Sequence, residues 1–180
     1  MEQTYYLIIM GALLVEYALS TISSTLNMNS ITEKIPDGFQ EYYDEEKYSS
    51  SQAYLRDKTR FGLFSVTFGL CVTLFVIHTG VFGILDDFSR EYSNHSITAG
   101  LIFFGILFIF NDIINIPFSI YSTFVIEEKY GFNKTTWKTF LSDKIKGYGL
   151  TIVLGSMVII PVLHFFDAYG ANGWWIAWAL

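Results

Sequence analysis

The chain has 180 residues, of which 52% are hydrophobic, 18% aromatic and only 16% charged, with a net charge of −6 and a single cysteine. The many aromatic residues exclude a disordered chain, and an acidic balance without a basic stripe argues against a nucleic acid partner. Cys71 alone forms neither an intrachain disulfide nor a thiolate cluster for zinc. Because soluble domains carry about 25% charged residues, the apolar excess predicts that much of the chain lies in a lipid bilayer.

Apolar runs, taken in chain order, predict membrane-spanning helices. Crossing about 30 Å of hydrocarbon requires roughly 20 helical residues, and four runs meet or approach that length. A fifth run is too short to span, and backbone groups left unpaired in lipid cost several kcal/mol each. We therefore expect an all-α membrane protein with four transmembrane helices and the start of a fifth, forming the N-terminal domain of a longer protein. The predicted spans are about 5–25, 61–85, 97–122, 148–166 and the truncated 173–180.

The distribution of basic residues predicts the orientation of these spans. Ten of the eleven Lys and Arg residues lie in the two long segments that separate spans one and two and spans three and four. Cytoplasmic loops are enriched in Lys and Arg, so we expect the long loops in the cytoplasm and the N-terminus outside. Residues 1–4 carry no positive charge, which argues against a cleaved signal peptide.

Capping signals predict where helices begin and end in the two long loops. Ser49, Ser50 and Ser51 are good N-cap residues, so we expect the second helix to start there, in the cytoplasm, after an acidic solvated stretch at 42–47. Gly131 is a C-cap signal, so the third helix is expected to continue to about Lys129.

A short interfacial helix is predicted after Gly131, capped by Asn133 or Thr135. One face of this helix is apolar, and its basic residues are expected to point toward water or anionic headgroups. These basic residues are Lys134, Lys138, Lys144 and Lys146.

The third span contains the most polar intramembrane sequence, with Asn111, Asp112, Asn115 and Pro117 close together. Polar residues in membrane helices tend to face a bundle interior or a water-filled cavity, and Asn111 and Asn115 share a helix face. The pattern therefore favours a cavity wall. An equally weighted alternative is that these groups bond neighbouring helices together and that Pro117 is a tolerated kink.

Glu16, Asp112, His78 and His164 are the other intramembrane residues with functional chemistry. Carboxylates and imidazoles are ligand types that zinc accepts. Each of the four lies on a different helix, however, and no motif spacing relates them, so a metal site in this chain is the less favoured interpretation.

The two long loops carry a family resemblance. Residues 117–134, PFSIYSTFVIEEKYGFNK, resemble the signature of the type 1 CAAX prenyl protease family, which consists of integral-membrane zinc metalloproteases. The first loop agrees with it, through YDEEKY at 43–48, SQAY at 51–54 and KTRF at 58–61. The resemblance covers the whole chain in register.

This resemblance implies a full-length protein with seven transmembrane helices around a water-filled intramembrane chamber, capped by a metalloprotease domain. It implies hydrolysis of a peptide bond near the C-terminus of a substrate, in eukaryotes a prenylated CAAX protein, by zinc held in an H-E-x-x-H motif. None of the three His residues here is followed directly by a Glu, so the motif does not occur in this chain. We therefore expect no catalytic or metal residue in this chain, which alone should be inactive and zinc-free, and we expect the catalytic zinc domain beyond Leu180.

The expected partners are the lipid bilayer, the C-terminal protease domain of the same polypeptide, and a protein or peptide substrate that is prenylated in eukaryotes. The membrane is the plasma membrane in a prokaryote and the endoplasmic reticulum in a eukaryote.

The candidate chamber lining is Glu16, Asn111, Asp112 and Asn115. Glu127 and Glu128 are candidates for docking against the protease domain, with a solvated helix end as the alternative. The alternative function is a transporter or channel subunit whose polar, Pro-kinked third helix forms a substrate site.

Overall fold

A computed structural model describes residues 2–32, 34–170 and 173–179, and within these ranges the chain is helical without strands. Among the described residues, four helical stretches are long and apolar enough to cross a membrane: Gln3–Asn29, Glu45–His78, Ser96–Glu127 and Trp137–Tyr169. The predicted all-α membrane fold is therefore confirmed. The elements in chain order are α1 (Glu2–Asn29), α2 (Glu45–His78), α3 (Val81–Tyr92), α4 (Ser96–Tyr121), a π-helical segment (Ser122–Glu127), α5 (Trp137–Tyr169) and α6 (Gly173–Ala179).

Helix α2 begins earlier than the serine cluster predicts. Its N-cap is Asp44, whose side chain accepts a hydrogen bond from the backbone N–H of Lys47 at 2.9 Å. Glu45 and Glu46 then occupy the first turn, where carboxylates interact favourably with the positive end of the helix dipole. The acidic stretch is thus partly a helix start, and its interpretation as a solvated loop throughout was wrong.

The predicted second span, 61–85, is divided in two. Helix α2 ends at His78, and Gly80 adopts a left-handed conformation with φ of +71°. A non-glycine residue rarely adopts this conformation, which explains why the chain turns here although no charge interrupts the apolar run. Residues 81–85 belong to the separate helix α3.

The end of the third membrane helix agrees with the prediction. The π-helical segment follows α4 directly, and helical structure continues to Lys129. Gly131 has a φ of +72°. The N–H of Gly131 then donates to Glu128 O at 3.0 Å and the N–H of Phe132 to Glu127 O at 2.9 Å, a pattern typical of a glycine-terminated helix.

Helix α5 replaces the predicted short interfacial helix and fourth span with one continuous helix of 33 residues. Its N-cap is Thr136, which accepts from the N–H of Thr139, so neither Asn133 nor Thr135 is the cap. Gly147 and Gly149 lie inside the helix, where each glycine costs about 1 kcal/mol relative to alanine without ending the helix.

The described start of the predicted fifth span is helix α6. It covers Gly173–Ala179, while Leu180 lies outside the described residues.

The chain divides into two compact units. The first comprises Met1–Thr79 and Ile116–Asn133, and the second comprises Gly80–Asn115 and Lys134–Leu180. In the first unit α1 packs on α2, and α2 packs on the π-helical segment. In the second, Gly100 of α4 lies so close to Leu163 of α5 that an added Cβ atom would stand 2.7 Å from its Cδ1.

Apolar side chains of the membrane-length helices are largely exposed. The hydrophobic residues buried within the described part of the chain are Val76, Ala99 and Ile126. Exposed apolar surface of this extent is expected where lipid, rather than water, is the solvent.

Candidate functional site

Asp112 is the centre of a polar group in the second unit. Its carboxylate accepts hydrogen bonds from Lys144 Nζ and from the Tyr148 hydroxyl of α5, both at 2.5 Å. The side chains of Lys144 and Asp112 are 23% and 17% exposed. We call Asp112, Lys144 and Tyr148 the Asp112 group; it joins α4 to α5 by a charge-assisted contact.

The sequence pattern does not predict the partners of Asp112. Lys144 was expected to point toward water or lipid headgroups, and the structure instead pairs it with Asp112. The difference follows from the continuous helix α5, in which residues 144 and 148 lie one turn apart on the same face. The spacing of a lysine and a tyrosine by four residues was the one signal available for this pair.

An open cavity of about 440 Å³ adjoins the Asp112 group. Asp112 and Tyr148 are its polar residues, and the ring of Phe108 contacts that of Tyr148 edge-on at 6.1 Å between centroids. The volume lies in the range of small-molecule sites, which are mostly apolar with a few polar groups. The remaining lining residues are Gly105, Ile109, Ile113 and Ile152.

Asn111 and Asn115 form a second polar feature on α4. The Asn115 side-chain amide donates to Asn111 O at 2.7 Å and to Asn111 Oδ1 at 3.1 Å. Both residues are exposed. Asp112 lies one residue away but bonds to α5 rather than to Asn115.

Glu16 and the histidines belong to neither of these groups. Glu16 is exposed on α1, and no hydrogen bond or ion pair joins it to another described residue. The Tyr6 hydroxyl lies 3.2 Å from His78 Nδ1, and His164 is exposed on α5. Among the described residues, no three His, Cys, Asp or Glu side chains are grouped so that they hold a metal ion.

A network of charged and aromatic residues joins α2 to the helix end that follows α4 in the first unit. Asp57 accepts hydrogen bonds from Lys129 Nζ and the Tyr130 hydroxyl, both at 2.7 Å. Lys58 lies 3.4 Å from Glu127 Oε1 and donates to the Tyr54 hydroxyl at 2.7 Å. We call these six residues the α2–π junction.

Aromatic contacts and an altered pKa accompany the α2–π junction. The ring of Tyr54 packs edge-on against Tyr130 and Phe132, at 5.6 and 4.8 Å between centroids. The hydrogen bond to Asp57 raises the pKa of the Lys129 ammonium above its usual range. The junction therefore combines opposite charges and stacked rings between two helices.

Glu127 and Glu128, the candidates for docking, both contact their own chain. Glu127 pairs with Lys58, and Glu128 accepts a hydrogen bond from Asn133 Nδ2 at 2.9 Å. Their docking to a protease domain stays a prediction.

Comparison with known proteins identifies the family. Residues 25–180 match the family model described as the CAAX prenyl protease N-terminal domain with five membrane helices. The chain belongs to this family. The resemblance in the two long loops is thereby confirmed.

Two relatives and one solved structure place the chain within the CAAX prenyl protease family. It is 37% identical to a probable CAAX prenyl protease 1 of Schizosaccharomyces pombe over 161 residues, covering 82% of this chain and 34% of that protein. Its identity to the human CAAX prenyl protease 1 homolog is 33% over 141 residues, 73% of this chain and 28% of the human one. The crystal structure of S. mikatae Ste24p matches with a TM-score of 0.86 and 26% identity, over 96% of this chain and 42% of Ste24p.

The chain therefore spans about a third of the length of the curated CAAX prenyl protease relatives that it matches. The similarity to Ste24p extends over almost all of it. These matches support a membrane protein related to CAAX proteases.

Proposed function

We propose that this chain is the membrane-embedded part of a zinc metalloendopeptidase that cleaves near the C-terminus of prenylated CAAX-type proteins or peptides. The observation that carries the proposal is the match of residues 25–180 to the CAAX prenyl protease N-terminal domain. The relatives are named as proteases, which favours this function over a transporter or channel subunit.

In this proposal the segment builds the wall of an intramembrane chamber and its substrate access. Glu16, Asn111 and Asn115 support this role, because they are exposed on helices that are otherwise apolar. Polar groups at such positions are costly in lipid and are stable where they meet water or a polar partner. Asp112 contributes differently, by joining α4 to α5 through Lys144 and Tyr148.

The described residues do not fit a zinc site. Zinc in a catalytic site takes three protein ligands, and no group of three candidate ligands occurs among them. We place the zinc and the catalytic residues of the proposed enzyme elsewhere in the full-length protein, and the role of this chain is to hold and admit the substrate.

The test compares the 180-residue chain with the full-length gene product, each purified into lipid nanodiscs. A farnesylated CAAX peptide with a fluorophore at its C-terminal end reports cleavage after the modified cysteine. We expect cleavage by the full-length protein, its loss with a zinc chelator, and no cleavage by the 180-residue chain.

Metal analysis of the same samples is the control. We expect about one zinc per full-length molecule and none in stoichiometric amount in the 180-residue chain. Uncleaved farnesylated peptide with zinc-loaded full-length protein would contradict the proposed function. One zinc per 180-residue chain would instead overturn the placement of the metal outside it.

A further inference from the structure

The connection between α1 and α2 carries an open, aromatic-lined groove that the proposed catalytic function does not use. It encloses about 680 Å³, and its aromatic residues are Phe39, Tyr42, Tyr43 and Tyr48. A second open cavity of about 880 Å³ shares Pro36 and Tyr43 with it. We call the two together the α1–α2 groove; all of its residues belong to the first unit.

The aromatic rings of the α1–α2 groove are available to a ligand. Tyr42 is 79% exposed, and Phe39 and Tyr43 are more than half exposed. Tyr43 is held in place by an edge-on contact with Tyr48 at 6.2 Å between centroids. Exposed ring faces attract cations, with Lys and Arg within about 6 Å of the ring gaining roughly 0.5–1 kcal/mol at exposed sites.

The segment between α1 and α2 carries a net negative charge, which is opposite in sign to the charge of a Lys- or Arg-containing ligand. From Lys34 to Lys47 the chain carries five carboxylates and two ammonium groups, a net charge of −3. The charged residues that line the groove itself are Asp37, Asp44, Glu45, Lys34 and Lys47, a net charge of −1. Asp44 accepts from the N–H of Lys47 at the start of α2. The other four carboxylates are exposed and form no ion pair or hydrogen bond with described residues; they are Asp37, Glu41, Glu45 and Glu46.

We propose that the α1–α2 groove binds an extended, Lys- or Arg-rich peptide segment. Tyrosine rings accept the aliphatic stems and charged ends of such residues, and the unpaired carboxylates attract their positive charge. The same negative charge repels anionic lipid headgroups and nucleic acid, which disfavours both as occupants.

The source of this peptide follows from the proposed function and rests on it. Prenylated CAAX sequences usually have either polybasic residues or a second, palmitoylated cysteine upstream of the modified cysteine, and the groove suits the polybasic kind. The groove lies in a loop for which the distribution of Lys and Arg predicts the cytoplasmic side, where such substrates are found. The groove then holds the substrate at a point separate from its prenyl group.

Direct binding tests the proposal without any enzymatic step. The 180-residue chain, in nanodiscs of zwitterionic phosphatidylcholine, is titrated into a fluorescent ten-residue peptide containing six lysines and no prenyl group. A matched peptide has glutamine at the six positions. We expect binding of the lysine peptide at least tenfold tighter than that of the glutamine peptide, weakening as salt rises because the attraction is screened.

Two groove variants and one matched control locate the binding. The double variant Asp37→Asn, Glu45→Gln, at two carboxylates that line the groove, should weaken lysine-peptide binding about tenfold, and Tyr42→Ala, a change at an exposed side chain, about threefold. The control Asp87→Asn, Glu91→Gln removes the same charge from exposed positions in the other unit and should leave the affinity unchanged. Equal affinity for the two peptides, or equal weakening by control and groove variants, would overturn the proposal.

Cleavage of a farnesylated peptide by the full-length protein is measured separately. If the full-length protein cleaves this peptide but the lysine and glutamine peptides bind equally, the proposed binding role of the groove is contradicted and the proposed protease function is not. If the lysine peptide binds selectively but the full-length protein does not cleave the farnesylated peptide, the proposed protease function is contradicted and the proposed role of the groove is not.

Discussion

The α2–π junction and the Asp112 group both join two helices through ion pairs, but in different surroundings. At the junction, the side chains of Lys58 and Lys129 are 49% and 61% exposed, and aromatic rings accompany the charges. In the Asp112 group, both charged side chains are less than a quarter exposed, and the neighbouring cavity residues are mostly apolar.

The difference in exposure determines how much each region depends on a single ion pair. Exposed ion pairs contribute about 0–1 kcal/mol each, so the junction depends on several contacts acting together and on the rings of Tyr54, Tyr130 and Phe132. A pair largely withdrawn from water contributes little when intact, but removing one partner costs up to about 3–5 kcal/mol. The Asp112 group is therefore the contact that a single substitution damages most.

The largest effect is expected for Asp112→Asn. This change leaves the Lys144 ammonium without its carboxylate inside an apolar span, and we expect a loss of about 3–5 kcal/mol of unfolding free energy. Denaturant titration in detergent micelles measures it. The double variant Asp112→Asn, Lys144→Gln should recover most of the loss, and a single variant within 0.5 kcal/mol of the original chain would show that the pair is not isolated from water.

A smaller effect is expected for Asp57→Asn at the junction. The substitution removes the ion pair with Lys129 and weakens the acceptor for the Tyr130 hydroxyl, for a loss of about 1–2 kcal/mol. Added salt should reduce the difference between the variant and the original chain, because exposed charges are screened. A loss as large as that of Asp112→Asn would remove the contrast between the two regions.

The pH dependence of the junction follows from Lys129. Its pKa is raised in the folded chain by the hydrogen bond to Asp57, so its contribution is present below the unfolded pKa of about 10.4 and is lost as the pH rises through the folded value. The stability difference between Asp57→Asn and the original chain should stay constant from pH 6 to 9. A decrease within this interval would contradict the assignment.

A comparable effect in a different element is expected for Gly131→Ala. Gly131 has a φ of +72°, which costs an L-residue roughly 1–2 kcal/mol, and the turn it makes precedes the contact of Phe132 with Tyr54. Gly147→Ala is the matched control, since this glycine is helical with open space around it and should gain about 0.5–1 kcal/mol. Thermal unfolding of both variants measures the difference in sign.

The smallest effect on stability is expected for a topology probe at Lys138. This residue is exposed near the start of α5, so Lys138→Cys in a Cys71→Ser background should leave the folded chain intact. The positive-inside rule predicts that a membrane-impermeant thiol reagent labels it from the cytoplasmic side. Labelling from the outside would reverse the predicted orientation.

The extent of sequence-based prediction differs among the helices. The ends of α4 and its continuation were predictable, because Gly131 acts locally. The break at Gly80 was not, since an apolar run with no charge looks the same whether or not it turns. The continuity of α5 was missed because a lysine-rich stretch suggests a helix at the membrane surface unless a partner carboxylate is known.

By itself, the sequence determined the all-α membrane fold, the family and the polar character of the third span, since hydrophobic length and loop motifs are properties of neighbouring residues. Only the tertiary structure decided that Lys144 faces Asp112, that Glu127 pairs with Lys58, and that the tyrosines after α1 form a groove. The two ion pairs join residues separated by 32 and 69 positions. Their formation depends on which helices pack together, and the residue pattern within a single segment does not determine that packing.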